Sequence, residues 1–179
     1  MKKVILSVFG VVFAFASFAQ SVMVGGAAMY PNKNIIENAV NSKDHTTLVA
    51  AVKAAGLVET LQGKGPFTVF APTNAAFDKL PGGTVETLLK PENKATLTAV
   101  LTYHVVAGKW SASDVAKLIK DGKGKAELKT VQGGILTASM KGKDVILTDA
   151  KGNVSTITIF DVTQSNGVIH VIDTVVLPM

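Results

Sequence analysis

Neither cysteine nor arginine occurs in this chain. The first absence removes disulfides, thiol nucleophiles and thiolate metal sites together, so an exported domain built from this sequence rests on core packing alone. It also excludes lipid attachment through a cysteine. The second absence leaves all 18 basic residues as lysines, without the planar forks that read bases. Aromatic residues are scarce at 6%, with one tryptophan, so there is little on which nucleic-acid bases could stack. Charged residues make up 17% and the formal charge is +5, of which Lys2 and Lys3 contribute two. Lysines scattered in this way make a solvated surface, and no nucleic-acid partner is implied. Weak attraction to an acidic polysaccharide or cell envelope is the functional alternative. No G-x-S-x-G, H-E-x-x-H, phosphate-loop or dinucleotide glycine pattern is found. The sequence therefore nominates no catalytic residue, no metal site and no cofactor, and the protein is not expected to be an enzyme.

What is present begins with a leader. Lys2 and Lys3 form a positive start, Val4 to Phe18 is apolar, and Ser17-Phe18-Ala19 places small residues where a signal peptidase cuts. Residues 1–19 are thus expected to be a signal peptide removed before Gln20. The apolar run falls short of the roughly 20 residues of a spanning helix. No later segment is apolar and long enough to span, so no transmembrane anchor is expected and the product is placed in the periplasm or outside the cell. Residues 20–32 are Gly/Ala-rich without a clear period and are read as a flexible or loosely docked arm. Residues 33–179 then form one domain, with no internal repeat and no linker long enough to divide it.

The domain reads helices first, hairpins second. Apolar residues at helical spacing predict a helix from Lys33 to Asn41 and another from Asp44 to Ala55, capped by Asp44 or Thr46 and stopped by Gly56. Phe67 to Ala71 is rich in strand formers; Pro72 ends it and Thr73 caps a short helix carrying Phe77. Further helical pieces start at Thr84 and Pro91 and run to Tyr103. Val105-Val106 reads as a short strand, and Ser111-Ala-Ser-Asp114 as a helix start. From residue 126 the pattern changes to strands at Ala126–Val131, Ile135–Lys141, Asp144–Asp149, Val154–Phe160 and Val168–Leu177, separated by Gly- and Asn-containing turns. This order argues for an α+β fold rather than a parallel α/β sheet.

Three phrases carry more. Thr68-Val-Phe-Ala-Pro-Thr-Asn-Ala-Ala-Phe77, Tyr103-His104-Val105-Val106 and Gly167-Val-Ile-His-Val-Ile-Asp-Thr-Val-Val-Leu-Pro178, in this order and spacing, resemble the signature of the fasciclin (FAS1) family. The resemblance covers roughly residues 33 to 178. It implies a β-sandwich-like wedge with helices packed mainly from the N-terminal half. It also implies an extracellular adhesion or matrix-binding module without a catalytic site, whose partner is a cell-surface or matrix protein or polysaccharide. In animal members a tyrosine–histidine region is implicated in receptor binding, and Tyr103-His104 matches it in form. Asp161-Val162 falls where many members carry an Asp-Ile adhesion motif, but Ile159-Phe160 precede it where related motifs are often polar. The resemblance thus makes Pro72, Thr73, Asn74, Phe77, Tyr103, His104, Asp161, Val162, His170 and Asp173 the candidate motif or adhesion positions.

The residues themselves suggest quieter roles. His104 and His170 sit in apolar stretches and read as core histidines with satisfied hydrogen bonds; two such ligands do not complete a zinc site. His45, beside Asp44 at a helix start, reads as solvated. Tyr103 would fill a helix-to-strand junction while His104 ties backbone together. Asp161 reads as a turn aspartate. Asp173 interrupts an apolar strand, so its carboxylate must accept hydrogen bonds or cap a bend before Thr174. Lys120 to Lys125, interleaved with glycine, is a solvated turn. The functional alternative to adhesion is a carrier of a small apolar ligand, which would require an apolar cavity between helices and sheet.

Overall fold

Alternation of buried and exposed residues in the second half of the chain produces a run of antiparallel hairpins. The computed structural model describes residues 21–179, so the expected signal peptide lies outside the described residues. Strands β5 (Lys125–Lys129), β6 (Ile135–Lys141), β7 (Asp144–Thr148) and β8 (Val154–Gln164) form an antiparallel meander. Ala126, Leu128, Leu136, Ala138, Val145 and Leu147 point inward on alternate positions, as period-two patterning requires.

The first half supplies two more strands of the same sheet. β3 (Phe67–Pro72) pairs antiparallel with β4 (Val105–Ala107) and parallel with β9 (Gly167–Ile172), and β9 pairs antiparallel with β8. The seven strands lie in the order β4-β3-β9-β8-β7-β6-β5. The two edges nearly meet: Val106 bridges Thr130, and the Val131 N–H donates to the Val105 carbonyl at 2.7 Å. All six residues of β9 and five of the six of β3 beside it are buried, which explains their nearly continuous apolar runs, interrupted by His170 and Thr68. Gly167 is required there, because a Cβ at that position would collide with the Phe67 carbonyl oxygen.

Helices cover the sheet. α1 (Ile35–Ala39), α2 (Thr46–Ala55), α3 (Val58–Gln62), α4 (Asn74–Asp78), α5 (Thr84–Leu88) and α6 (Lys94–Tyr103) come from the first half, and α7 (Ala112–Asp121) packs on β5 and β6. α2 buries Leu48, Ala51, Val52 and Ala55 along one stripe and ends at Gly56, whose φ of 74° is the left-handed conformation of a helix stop. α7 begins with a reciprocal capping box between Ser111 and Asp114. Two apolar cores result. One lies under α1–α6 against β3 and β9; the other joins Phe70 and Tyr103 to α7 and the inner faces of β5–β8.

Four details depart from the sequence reading. Residues 22–29, inside the stretch read as an arm, form a hairpin of β1 (Val22–Val24) and β2 (Ala27–Met29), with Val24 and Met29 buried. Gly25 and Gly26 turn it with φ of 57° and 74°, the two positive values of a tight hairpin turn. β8 runs on to Gln164 instead of stopping at Phe160, because register shifts between Ile157, Ile159 and Val162 let it bend without leaving the sheet. β9 stops at Ile172 rather than Leu177, where Asp173 turns the chain. Finally, α2 is capped by neither Asp44 nor Thr46. The Thr47 N–H is taken by the Asn74 side-chain oxygen at 3.0 Å, from the start of α4.

Candidate functional site

The candidate residues fall in three groups, at the end of β3, at the junction of α6 with β4, and around the β8–β9 pair. In the first group Pro72 closes β3 and Thr73 caps α4 by accepting the Ala76 N–H at 3.2 Å. Asn74 donates to the Lys43 carbonyl at 2.9 Å while its oxygen holds the start of α2. Phe77 is buried in the core beneath. The motif is therefore a staple between β3, α4 and α2.

At the second junction Tyr103 is wholly buried; its hydroxyl donates to the Ile135 carbonyl at 2.6 Å and accepts from the Ala150 N–H at 3.1 Å. Burial, the largest influence, raises its pKa above the ordinary tyrosine value. His104 is also buried. Its Nδ1 lies 2.8 Å from the Val100 carbonyl, and the Val176 N–H meets its Nε2 at 3.2 Å. A carbonyl can only accept and an amide can only donate, so the ring is neutral and carries its proton on Nδ1. Burial lowers its pKa to about 4. Asp149, which the sequence reading passed over as a strand end, completes this corner. One carboxylate oxygen accepts from the Lys151 and Asn153 amides at 2.9 and 2.8 Å, and the other from the Leu177 amide at 2.9 Å.

In the third group His170 is the mirror case. Its Nε2 lies 2.8 Å from the Trp110 carbonyl, and the Asp161 N–H meets its Nδ1 at 3.3 Å. The same logic makes it neutral with the proton on Nε2. The ring stacks on Phe70 and meets the edge of Phe160, and burial lowers its pKa. Asp161 is exposed, adopts φ of 55° within the irregular part of β8, and accepts the Ala112 N–H at 2.8 Å, tying the strand to the first turn of α7. It thus lies inside a strand rather than in the turn expected for it. Val162, beside it, is fully buried. Asp173 accepts the Thr156 N–H at 2.8 Å and the Thr174 hydroxyl at 3.1 Å, and pairs with Lys79 at 3.4 Å. Partial burial would raise its pKa, but these partners outweigh it and hold the carboxyl below the ordinary value.

His104 and His170 therefore turn to different backbone partners. Among the described residues no three His, Asp or Glu side chains gather as metal ligands. Of the candidates, Asp161 is exposed, and Thr73, Asn74 and Asp173 are partly so; the rest face inward. His45, expected in solvent, is instead buried, with Nδ1 2.8 Å from the Ser42 hydroxyl. It shares an apolar lining with Ile36 of α1 and Leu48 and Val52 of α2, while its neighbour Asp44 takes the exposed position. Also among the described residues, no helix is long and apolar enough to cross a membrane.

Comparison with known proteins agrees with this architecture. The family model of the fasciclin domain matches residues 43–178. "Protein sll1483" of Synechocystis sp. is 49% identical over 159 residues, covering 89% of this chain and 81% of that protein. The "Cell surface glycolipoprotein MPB83" of Mycobacterium bovis is 36% identical over 166 residues, covering 91% of this chain and 63% of that protein. Among solved structures, a FAS1 domain pair from the insect cell adhesion molecule Fasciclin I superposes with a TM-score of 0.74 at 16% identity. That match covers 89% of this chain and 59% of the other, and it concerns the fold alone.

Proposed function

We propose that this chain, which belongs to the fasciclin domain family, is a secreted, non-catalytic binding module that mediates adhesion or contact with the cell envelope or matrix. The observation that supports this most is how the family phrases are used. Both histidines are neutral, with both ring nitrogens engaged by the backbone, and Tyr103 is sealed in the core. Groups held in this way serve a scaffold, not acid–base chemistry, which needs a group in reach of a substrate and titrating near the working pH. Recognition then belongs to the outer surface. The exposed Asp161 segment beside α7 and the half-exposed Thr73-Asn74 shoulder are the patches assigned to it. The partner proposed is a cell-surface or matrix protein or polysaccharide. A surface glycolipoprotein among the relatives and a cell adhesion molecule among the structural neighbours favour this reading.

The test is attachment. Cells of the producing strain, and separately its extracted envelope polysaccharide, are applied to surfaces coated with the folded protein, with its heat-unfolded form, or with an Asp161→Lys variant. Retention by the folded wild type above both controls is the expected result. Equal retention on folded and unfolded protein, or none on either, overturns the reading.

A further inference from the structure

Two fully buried polar side chains of the motif phrases, Thr68 and His170, are spent on one residue outside those phrases. The Thr68 hydroxyl accepts the Trp110 N–H at 2.9 Å and donates to the Gly108 carbonyl at 2.8 Å, and His170 Nε2 donates to the Trp110 carbonyl at 2.8 Å. The indole is fixed as well. Its Nε1 donates to the Ala107 carbonyl at 2.9 Å, in a bond that lies at the surface, and it rests against Gly108, where a Cβ would come within 3.0 Å of Nε1. Trp110 is thus held at its amide, its carbonyl and its ring nitrogen, yet it is only partly buried. It lines an open cleft of about 460 Å³ where the edges of β4 and β5 part beyond the single Val106–Thr130 bridge. Val106 of β4, Leu118 of α7 and Leu128 of β5 share the wall, and the exposed Glu127 and Lys129 flank Leu128 there. Among the described residues neither Glu127 nor Lys129 has an ion-pair partner.

We propose that this cleft is a subsite for one pyranose ring of a neutral polysaccharide. The inference rests on the binding-module reading above and narrows its partner. The cleft adjoins the Asp161 segment, because Asp161 accepts the amide of Ala112, two residues beyond Trp110. Three observations select the sugar. The volume lies within the ~300–1,000 Å³ usual for small-ligand sites. The wall joins apolar surface to one acid and one base, and a pyranose is built to match. Its ring faces carry polarised C–H groups, which are drawn to the negative face of an indole, while Leu118 and Leu128 cover further apolar surface. Each hydroxyl on its rim both donates and accepts, so the Glu127 carboxylate and the Lys129 ammonium find partners on the same ring. The aromatic side chain of a protein partner would fill the apolar part and leave both charges idle. Finally, one acid and one base give the cleft no net charge, so nothing in it favours an acidic polymer. An indole already fixed at its nitrogen also adds little ordering cost on binding.

Trp110 is the chain's single tryptophan, so its emission reports this cleft alone. The test follows that emission while the purified protein is titrated with cellotetraose, mannotetraose, a galacturonic acid tetramer and a phenylalanine-containing tetrapeptide. At least one of the two neutral tetrasaccharides should change the emission saturably, at one site per chain, and bind more tightly than the acidic tetramer and the peptide. In a Glu127→Ala variant, altered at an exposed position, its affinity should fall about tenfold, the loss of one hydrogen bond to a charged group, with the urea midpoint unchanged. In a Trp110→Leu variant, followed by calorimetry, affinity should fall by roughly tenfold or more. No saturable change with either neutral tetrasaccharide up to its solubility limit overturns the inference, and so does tighter binding of the acidic tetramer or of the peptide. The wild-type titration decides this even where a variant does not fold. Cells retained by the folded wild type while neither neutral tetrasaccharide binds would sink the sugar subsite and leave the adhesion reading standing.

Discussion

Lowering the pH from 7 to 5 should destabilise this domain through His104. The ring is neutral and buried, with a pKa of about 4 against 6.5 for an unconstrained histidine. Between those values the unfolded chain binds a proton that the folded one refuses, so stability rises with pH across this window and falls as pH drops through it. The contribution is fully present above 6.5 and fully lost below the folded value of about 4. At pH 5 the linkage relation gives a loss of about 2 kcal/mol from this residue, approaching ~3 kcal/mol once the folded form also protonates. His45 and His170 are shifted in the same direction and add to the loss. Asp114 and Asp173 are both held below the ordinary aspartate value, so the stability they contribute is lost at more acid pH than this window. Urea midpoints measured at pH 7, 6 and 5 should therefore decline. In a His104→Gln variant, whose amide can donate to the Val100 carbonyl but cannot titrate, the decline should be smaller by about 2 kcal/mol. A midpoint unchanged between pH 7 and 5, or a variant that keeps the full wild-type slope, would refute the neutral, Nδ1-protonated assignment.

Asp173→Ala should lower the urea midpoint by an equivalent of about 1–2 kcal/mol, because it strips the Thr156 amide and the Thr174 hydroxyl of an acceptor and removes the carboxylate from Lys79, which keeps only the carbonyl of residue 173 and the Thr174 hydroxyl. The folded variant should still attach to whatever surface the wild type attaches to; an unchanged midpoint with attachment abolished would make Asp173 a contact residue instead. Asn74→Ala should cost about 1 kcal/mol by uncapping α2 from outside that helix. Amide exchange should quicken at Thr47 in that variant, and an unaltered Thr47 rate would show that the cap is not used in solution.

Local chemistry made the helices and hairpins legible, because apolar spacing and turn residues act within a few positions. The Ser111–Asp114 box, the Thr73 cap and the Gly56 stop each involve residues at most four apart. What escaped the sequence was long-range. Asn74 caps a helix 27 residues earlier, Asn166 accepts the Ile35 amide across 131 positions, and Asp149 holds Leu177 across 28. Nothing in the composition around Asp149 distinguishes it from an ordinary turn aspartate. His45 was misplaced for a related reason: its polar neighbours suggested solvent, whereas it is buried beside residues distant in sequence, Ala71 and Leu101 among them. The β1–β2 hairpin was readable in principle, since Val-Met-Val, Gly-Gly and Ala-Ala-Met make a strand, a tight turn and a strand.

The parallel contact between β3 and β9 has a consequence for timing. Phe67 cannot meet Gly167 until every intervening helix and hairpin has left the ribosome. β9 is thus supplied after both of its neighbours, β3 and β8, and pairings between such distant segments form slowly. A nascent chain that has reached only α7 has its helices but only β3 and β4 of the seven strands. The sheet closes only when the keystone strand slides in between its two waiting flanks.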